Sequence, residues 1–409
     1  MRSAVLLDGW IWPGLCCRLE GRLSTSSASL EYHPDHPNKR PDKHHDQDYE
    51  ENFDGYFDGR ACHCGVEIAS ISTLRQAKTT MPLMQVHRLT FASHGNPAHV
   101  LRLESFETAS LSEGEVLLKI HASPLNPADL NYIEGTYGKK PELPAVAGME
   151  CFATVIESRS DKFPEGDSVI ILGKLDGWAT HAVAHADTLL RVPDGIAPLQ
   201  AAMLKVNPAT AWLLLHKFTD LKKGDWVALN ASNSGVGQCV IQLAACMEIR
   251  TICFLRDQSL SEGLASLGAT CVLTDDAEGY AAAKEKLGNE KAKLAFNAVG
   301  GDSALRLMKL LAEGGTHVTY GAMGRKPLTV PNGPLIFNDI RVRGLWVTKW
   351  MERASRNELE ATYLPLADRL LDGSLKQKVD STFALADFRK ALARLEDPER
   401  NGKVLFENP

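Results

Sequence analysis

The sequence has few features of a membrane or nucleic-acid-binding protein. No hydrophobic run in its 409 residues approaches the roughly 18 apolar residues that a membrane-spanning helix needs. The net charge is only −6, which gives no reason to expect a nucleic-acid partner. The nine cysteines are an odd number, and four of them lie in apolar periodic segments, where cysteine behaves as a small buried hydrophobe. We therefore expect a soluble, reduced, intracellular protein with no membrane span.

The overall composition is that of an ordinary globular protein, with 44% hydrophobic and 23% charged residues. The length exceeds the roughly 250–300 residues at which a single core stops growing, so we expect two cores. Periodic apolar content is nearly missing from residues 1–83, where HPDHPNKRPDKHHDQDYEENFDGYFDGR is rich in His, Asp, Pro and Gly. Residues 1–83 are therefore expected to be a disordered extension outside the fold.

Three explanations of this extension stay open. Arginines and the STSSAS run favour a transit segment, but the acidic residues among them argue against one. The Cys62-His63-Cys64 tract suggests a metal site, although its spacing matches no standard zinc pattern. We favour the third explanation, translation that starts at Met81 or Met84, because a coherent domain begins abruptly at MQVHRLTF.

Residues 84–205 predict a compact, β-barrel-like first domain. Short strand-like stretches follow one another and are punctuated by glycine and proline, which break strands and form turns. These stretches are MQVHRLTF, EVLLKIHASPLN, CFATVIES, DSVIILG and ATHAVAH.

Residues 206–345 predict a nucleotide-binding domain on a doubly wound parallel sheet, the α/β Rossmann arrangement. Strands VALN, TICFL, CVLT, KLAFNAV and THVTYGA alternate with helices such as EGLASLG, AAAKEKLG and SALRLMKLLAEGG. Such alternation places helices on both faces of a parallel sheet. Residues 346–409 predict two helices, NELEATYLPLADRLLDG and ALADFRKALARLE, and a last strand GKVLFE. This C-terminal part is expected to return to the first domain and close the cleft.

The turn NASNSGVGQ after strand VALN is short of glycine for a phosphate-binding loop. Only Gly235 and Gly237 remain, but a strand, a tight turn and a helix with one apolar face are all present. The helix N-terminus directs free N–H groups at an anion, and small residues such as Ala231 and Ser232 let the backbone approach it. An ordinary strand–helix turn is the alternative, since a lone G-x-G is a weak signal. We expect the loop to bind a dinucleotide.

The end of the second strand bears on which dinucleotide is bound. An acidic side chain there holds a ribose 2′-hydroxyl, whereas an arginine accommodates the 2′-phosphate of NADPH. Strand TICFL runs directly into Arg256, nineteen residues after Gly237, and Asp257 follows. The arginine favours NADPH, and a solvated surface arginine is the alternative.

Five segments together resemble the medium-chain dehydrogenase/reductase superfamily, and more narrowly its mitochondrial-type 2-enoyl thioester reductases. They are NPADLNYIEGTYGKKPELPAVAGME, VNPATAW, NASNSGVGQ, FNAVGG and VTYGAM. The resemblance extends over residues 84–409 and implies a GroES-like catalytic domain beside the Rossmann domain. It also implies NADPH-dependent reduction of a trans-2-enoyl group on coenzyme A or acyl carrier protein, in fatty-acid synthesis.

The same resemblance implies which residues carry the chemistry. The family's catalytic tyrosine matches Tyr137 in DLNYIEGTYG, and Tyr132 is its nearest competitor. A tyrosine hydroxyl suits enolate stabilisation, because it both donates a hydrogen bond and releases a proton. The implied cofactor contacts are Asn207; Asn233, Ser234, Gly235 and Val236; Arg256, Asp257 and Gln258; Tyr320, Gly321, Ala322 and Met323; Leu345, Trp346, Val347 and Thr348; and Lys403.

A metal-assisted mechanism is not expected. Zinc-dependent alcohol dehydrogenases of this superfamily use a histidine in a G-H-E motif, and Met149 stands in its place in Gly-Met-Glu. The four-cysteine loop of the structural zinc site is also missing. Two other interpretations remain, a zinc-free NADPH quinone oxidoreductase and a non-catalytic binding module with this fold.

Partners are predicted less directly. Acyl carrier protein is acidic, and a basic rim is available at Lys139, Lys140, Arg325 and Lys326. The strand-like segment PLIFNDIRVRGLWV is apolar at an expected sheet edge, and such an edge needs covering. The resemblance implies a homodimer that extends the sheet through this segment.

Overall fold

The computed structural model describes residues 85–108, 110–173 and 176–408, all within one compact unit, Ala77–Pro409. The extension 1–83, the Cys62-His63-Cys64 tract and the candidate starts Met81 and Met84 lie outside the described residues. Within the described part, none of the helices combines the length and apolar character that crossing a bilayer requires.

The first part of the described chain is mainly antiparallel β-structure. Strand β3 is its centre, pairing with β5 on one side and with β7 along the other. Strand β1 pairs with β2 and β4 in a separate three-stranded sheet. The elements are β1 (Gln85–Phe91), α1 (Pro97–Val100), β2 (Arg102–Glu107), β3 (Glu115–Pro124), α2 (Pro127–Glu134), β4 (Ala145–Val146), β5 (Phe152–Ser158), β6 (Ser168–Ile171), β7 (His181–His185), β8 (Leu189–Arg191) and α3 (Pro198–Ala202).

The second part is a parallel sheet with helices on both faces, as the alternating pattern predicts. Its strand order is β11-β10-β9-β12-β13-β14, so the order reverses between β9 and β12. Ligands of such sheets bind at the carboxyl ends of the strands beside that reversal. The elements are α4 (Asn207–His216), β9 (Trp226–Leu229), α5 (Gly235–Cys246), β10 (Arg250–Leu255), α6 (Ser261–Ser266), β11 (Cys271–Thr274), α7 (Ala277–Leu287), β12 (Ala292–Asn297), α8 (Gly301–Met308), β13 (Leu311–Thr319), α9 (Asn332–Phe337) and β14 (Arg341–Gly344).

The end of the chain crosses back to the first sheet. Strand β16 pairs antiparallel with β3, and β15 pairs parallel with β16. Helix α11 packs on α3 and α4, which both lie in the connection between β8 of the first sheet and β9 of the second. The elements are α10 (Val347–Met351), α11 (Arg356–Leu371), β15 (Val379–Phe383), α12 (Phe388–Glu396) and β16 (Lys403–Glu407).

Each face of the parallel sheet has its own apolar core. Val227 and Leu229 of β9 face α5, whose buried residues include Cys239, Val240 and Leu243. The alternate residues of β9 face α7 and α8 on the opposite side. The i, i+4 spacing of apolar residues in QCVIQLA therefore identified the buried side of α5 correctly.

Two segments differ from their predicted secondary structure. Helix α8 ends at Met308, so the predicted helix SALRLMKLLAEGG is wrong in its second half, where β13 begins at Leu311. Gly314 adopts a φ of 71°, which helical backbone does not allow, and Leu311 pairs with Ala292 of β12. The segment PLIF, predicted as strand, belongs to helix α9, and only Arg341–Gly344 pairs with β13.

The buried imidazole of His317 makes stability depend on pH. This side chain of β13 is 0% exposed, and neither ring nitrogen has a hydrogen-bond partner. Burial lowers its pKa from 6.5 to about 4, because the charged form loses its hydration. Between these two values the unfolded chain binds a proton that the folded protein does not. The free energy of unfolding therefore falls as the pH drops from about 6.5 towards 4.

We predict that His317→Leu removes this component. Between pH 7.5 and pH 5 the variant should lose about 2 kcal/mol less unfolding free energy than the unchanged protein, by the proton linkage of a single group. Urea unfolding followed by circular dichroism at the two pH values measures the difference. Equal losses in both proteins would contradict the prediction.

Candidate active site

The loop between β9 and α5 has the geometry of an anion-binding turn. Ala231 adopts a φ of 48°, an uncommon conformation for a residue with a side chain, and it turns the chain sharply after the strand. Ser234 caps α5, since its hydroxyl accepts a hydrogen bond from the N–H of Gly237 at 3.1 Å. The first N–H groups of α5 are thereby directed towards the carboxyl edge of the sheet.

The two glycines of the loop are required by close contacts. A Cβ on Gly237 would lie 2.5 Å from the carbonyl oxygen of Ser232, inside the turn itself. A Cβ on Gly235 would lie 2.6 Å from the Nδ2 atom of Asn207 on α4. The turn is therefore compact, and the first N–H groups of α5 that Ser234 does not bind are left for a pyrophosphate. The residues present fit a dinucleotide.

Asn230 is the residue that supports this loop from below. Its side chain is 0% exposed, and its Nδ2 donates to Asn297 Oδ1 at 2.9 Å and to Ser303 Oγ at 2.7 Å. Its Oδ1 accepts from the N–H of Ala298 at 2.7 Å. The amide therefore joins the ends of β9 and β12 at the reversal of strand order. The sequence interpretation treated Asn230 only as a missing glycine and overlooked Asn297.

The residues at the end of β10 are exposed. Arg256 makes no hydrogen bond or ion pair with any described residue. The carboxylate of Asp257 instead accepts from the N–H and the hydroxyl of Ser259 at 3.0 and 2.7 Å, so it is engaged in its own turn. Gln258 follows in a short 3₁₀ turn. The cation at this position is thus unpaired, and the acid beside it is occupied.

Tyr137 reaches across to the segment that follows β14. Its hydroxyl accepts a hydrogen bond from Trp346 Nε1 at 2.7 Å and lies 3.2 Å from Thr348 Oγ1. The two rings meet edge to face with centroids 5.5 Å apart. Gly138 is needed there, because a Cβ would lie 3.0 Å from the Trp346 ring. The phenol is thus half-buried and held by two side chains.

The backbone of the Tyr137 turn is anchored to helix α2. Gly135 ends α2 with a φ of 76°, and the N–H groups of Thr136 and Tyr137 both donate to the carbonyl of Asn131, at 2.9 and 3.0 Å. Tyr132, the competing tyrosine, packs its ring on Phe91 inside the apolar core instead. The phenol of Tyr137 is therefore the one that faces the opposite segment.

The remaining predicted cofactor residues lie at the same edge of the sheet. Tyr320–Met323 follow β13, where the N–H of Tyr320 donates to Asn297 O at 3.0 Å. Leu345–Thr348 follow β14, where the N–H of Leu345 donates to Thr319 O at 2.9 Å. Both segments follow the carboxyl ends of their strands, at the same edge of the sheet as the phosphate loop, and Met323 is 55% exposed.

Lys403 and Asn207 lie beside a buried charged cluster. Lys403 Nζ donates to Asn126 Oδ1, and the pKa of this lysine is lowered by burial. Glu150 is 0% exposed and accepts from Asn126 Nδ2 at 2.7 Å and from the N–H of Val206 at 2.9 Å. Glu150 therefore fixes the start of α4, where Asn207 is the first helical residue. The structure places Lys403 against this cluster, a role that its position in the last strand did not predict.

Comparison with known proteins decides the family. The chain matches the models of the alcohol dehydrogenase GroES-like domain at residues 112–194 and of the zinc-binding dehydrogenase at residues 235–368. It is 40% identical over 330 residues to the human mitochondrial enoyl-[acyl-carrier-protein] reductase, covering 79% of this chain and 88% of that protein. The chain belongs to the family of mitochondrial enoyl-[acyl-carrier-protein] reductases.

Solved structures of reductases share the fold. The mitochondrial 2-enoyl thioester reductase heterodimer Etr1p/Etr2p of Candida tropicalis is 28% identical, with a TM-score of 0.72 over 80% of this chain and 100% of that one. A complex of Etr1p with NADP and crotonyl-CoA has 28% identity and a TM-score of 0.71, with the same coverage. A structure from Bacillus thuringiensis that is described as an NADPH:quinone reductase is 26% identical, with a TM-score of 0.74 over 80% of this chain and 100% of that one.

One of the two matching models is that of a zinc-binding dehydrogenase, so the candidate metal ligands of the chain are of interest. No group of three or more metal-binding side chains occurs among the described residues. Met149 occupies the position expected for a zinc-binding histidine, and its N–H donates to Asp129 Oδ1 at 2.7 Å. The nearby Cys151 thiol is buried, which raises its pKa to about 12, so the thiol is protonated at neutral pH.

Proposed function

We propose that the chain reduces trans-2-enoyl thioesters to acyl thioesters with NADPH, as an oxidoreductase of fatty-acid synthesis and lipid metabolism. The observation that carries this proposal is the Tyr137 hydroxyl, held by Trp346 and Thr348 at the edge of the sheet that also carries the phosphate loop. Family membership and the likeness to Etr1p, which was solved with NADP and crotonyl-CoA, support it.

NADPH fits the site through groups that follow β9, β10, β13 and β14, together with Asn207 and Lys403. Asn233, Ser234, Gly235 and Val236 would hold the pyrophosphate at the start of α5. Arg256, flanked by Asp257 and Gln258, would hold the 2′-phosphate. Asn207, Lys403 and the segments Tyr320–Met323 and Leu345–Thr348 would surround the nicotinamide end. We keep all of these as proposed contacts.

The chemistry assigned to Tyr137 follows from its hydrogen bonds. When bound, NADPH supplies the hydride, which is added to the β-carbon of the enoyl group, and a proton is added to the α-carbon. The indole of Trp346 only donates, and when the Thr348 hydroxyl donates as well, the phenol keeps its own proton for a partner in the cleft. That proton is available to the thioester, on which enolate charge develops during reduction. Tyr137 therefore acts as the proposed hydrogen-bond donor and acid.

A direct assay tests this function against the runner-up, a zinc-free NADPH quinone oxidoreductase, which the fold of the Bacillus protein also allows. NADPH oxidation is followed at 340 nm, the nicotinamide band, with crotonyl-CoA, a longer trans-2-enoyl-CoA or 9,10-phenanthrenequinone. We expect turnover of the enoyl thioesters. Turnover of the quinone alone would support the alternative, and no turnover with NADPH binding would support a binding module.

The preference for NADPH should depend on Arg256. Because this guanidinium has no partner among the described residues, Arg256→Ala should raise the KM for NADPH about tenfold, the effect of one lost charge-assisted hydrogen bond. The KM for NADH should hardly change, since NADH has no 2′-phosphate. Initial rates with both cofactors measure this, and Gln258→Arg, which adds a second cation, should shift the preference the other way. An equal effect on both cofactors would contradict the assignment.

We propose domain boundaries that follow the two sheets. Residues 84–205 form the first part of the GroES-like catalytic domain, 206–345 the NADPH-binding domain and 346–409 the return to the catalytic domain. The pairing of β16 with β3 supports the last assignment. Residues 1–83 are proposed as an extension that is not part of either domain.

A homodimer through β14 is also a proposal. Strand β14 ends the described sheet, and beside it Ile336 and Phe337 of α9 are 70% and 80% exposed. A second copy would cover this apolar surface. Light scattering after gel filtration should show a dimer, and Ile336→Asp with Phe337→Asp should give a monomer. The same charge at Leu371, which is 49% exposed elsewhere, is the control. A monomeric unchanged protein would refute the proposal.

We also propose that exposed cations near the site bind an acidic carrier protein. Lys139 is already paired with Glu352 at 2.9 Å, which leaves Lys140, Arg325 and Lys326 as the exposed cations for an acidic carrier protein. Neutralising these three side chains should raise the KM for an enoyl-carrier-protein substrate more than the KM for enoyl-CoA.

The curated relatives are named as mitochondrial, so we propose the mitochondrial matrix, rather than the cytoplasm, as the location. Fractionation and mass spectrometry of the native N-terminus test this.

A further inference from the structure

The backbone of the segment between α11 and β15 is bound by amide side chains of two helices, α3 and α5. Gln200 of α3 donates to the carbonyl of Gln377 at 2.8 Å and accepts from its N–H at 2.9 Å. Gln242 of α5 does the same for Lys376, at 3.0 and 2.9 Å. Each glutamine side chain thus binds both the N–H and the C=O of one residue, as a neighbouring β-strand would. These four bonds hold the backbone of the segment, two of them at Lys376 and two at Gln377.

The side chain of Gln377 points away from these glutamines, towards α4. It is 2% exposed, and its Nε2 donates to the carbonyl of Met203 at 2.9 Å. Its Oε1 accepts from Asn207 Nδ2 at 2.8 Å. The Gln377 amide therefore connects the end of α3 to the first residue of α4.

These bonds determine the orientation of the Asn207 amide. A backbone carbonyl only accepts, so Met203 requires the NH₂ group of Gln377 to point at it. The Oε1 atom of Gln377 is then left facing Asn207, and it requires the NH₂ group of Asn207 in turn. The carboxamide oxygen of Asn207 must occupy the other position.

The phosphate loop confines the same amide from the opposite side. A Cβ on Gly235 would lie 2.6 Å from Asn207 Nδ2 but 3.5 Å from its Oδ1, so the NH₂ group sits between Gln377 and the start of α5. The N–H of Val206 is bound to Glu150, which holds the preceding peptide. The Asn207 amide is thus confined between Gln377 and the phosphate loop, and its orientation follows from the Gln377 hydrogen bond.

We propose that Gln377 is a positioning residue for the bound dinucleotide, which it serves by presenting the Asn207 carboxamide oxygen as a hydrogen-bond acceptor. The ligand group that it recognises is a donor, a hydroxyl or amide N–H of NADPH near the nicotinamide. This inference rests on the proposed NADPH-dependent function. Gln377, which lies far from the glycine-rich loop in the sequence, would then contribute to the affinity for NADPH.

Titration of NADPH fluorescence without any enoyl substrate tests the inference. Gln377→Leu should raise the Kd for NADPH about tenfold, the effect of one misdirected hydrogen bond. Gln200→Leu is the matched control, because it removes two bonds to the same segment and none to Asn207; its Kd should stay within twofold of the unchanged protein. In an Asn207→Ala background, Gln377→Leu should have no further effect on the Kd.

A second variant separates affinity from folding. Gln377→Glu loses the donor to Met203 but keeps an acceptor for Asn207, so it should lower the unfolding midpoint in urea while leaving the Kd within about threefold. If the unchanged protein binds NADPH and Gln377→Leu binds it equally well, the inference is wrong. It is also wrong if Gln200→Leu weakens binding as much, or if the Gln377 and Asn207 effects add. If the unchanged protein does not bind NADPH, the proposed function itself fails.

Discussion

Tyr137→Phe should lower kcat for enoyl reduction by about 10²- to 10³-fold, the usual contribution of a positioned acid. The change removes the hydroxyl that accepts from Trp346 and lies against Thr348, but it keeps the ring that packs edge to face on the indole. Cofactor affinity should be nearly unchanged, because the loop at the start of α5 is not touched. Steady-state rates with crotonyl-CoA and NADPH fluorescence measure the two effects.

Tyr132→Phe is the matched control for this prediction. Tyr132 lies five residues earlier in the sequence and contacts the Tyr137 ring with centroids 6.5 Å apart, but it belongs to the apolar core of the first domain. It should retain kcat within about threefold. A large loss at Tyr132 with little loss at Tyr137 would reverse the assignment of the two tyrosines.

Glu150→Ala should destabilise the protein by about 3–5 kcal/mol, because it removes a carboxyl group from a buried charged cluster and leaves its partners unsatisfied. The change removes the carboxylate that most favours the charged forms of Lys205, which is 3% exposed, and of Lys403. It also leaves the N–H of Val206 and the side chain of Asn126 without an acceptor. Urea unfolding at pH 7 measures the loss of free energy.

A surface glutamate provides the control for this stability prediction. Glu142 is exposed and precedes the same stretch of chain, so Glu142→Ala should change the unfolding free energy by less than about 0.5 kcal/mol. Equal effects at both positions would show that Glu150 is not the counterion of a buried cluster. Burial lowers the pKa of Lys205 from 10.5 to about 8, which agrees with an ammonium that depends on nearby carboxylates.

Periodic patterns predicted the architecture because burial repeats with the period of each element. The alternation of strand and helix gave the parallel sheet, and the apolar face of α5 is the buried one. The intrinsic helix and strand preferences of the residues gave the wrong element in two segments, where contacts with other parts of the chain determine the secondary structure. LLAEGG has helix-forming leucines and alanine, yet it enters a strand beside β12, and PLIF has strand-forming residues in helix α9.

The functional site was accessible to sequence only in part. Tyr137 was found by a family motif, while its partners Trp346 and Thr348, more than two hundred residues later, were predicted as cofactor contacts rather than as holders of its hydroxyl. Asn230 and Gln377 were missed because their roles depend on contacts far apart in the chain. The local signal that could have indicated this network is an asparagine at the carboxyl end of each of two strands, Asn230 after β9 and Asn297 in β12.

Isotope transfer tests the central claim most directly. NADPH carrying deuterium at the reactive C4 position is mixed with crotonyl-CoA and the protein, and the product is analysed by mass spectrometry and NMR. Enoyl reduction predicts butyryl-CoA with the deuterium at the β-carbon and a solvent proton at the α-carbon. Absence of butyryl-CoA, or deuterium found at the α-carbon, would contradict the account.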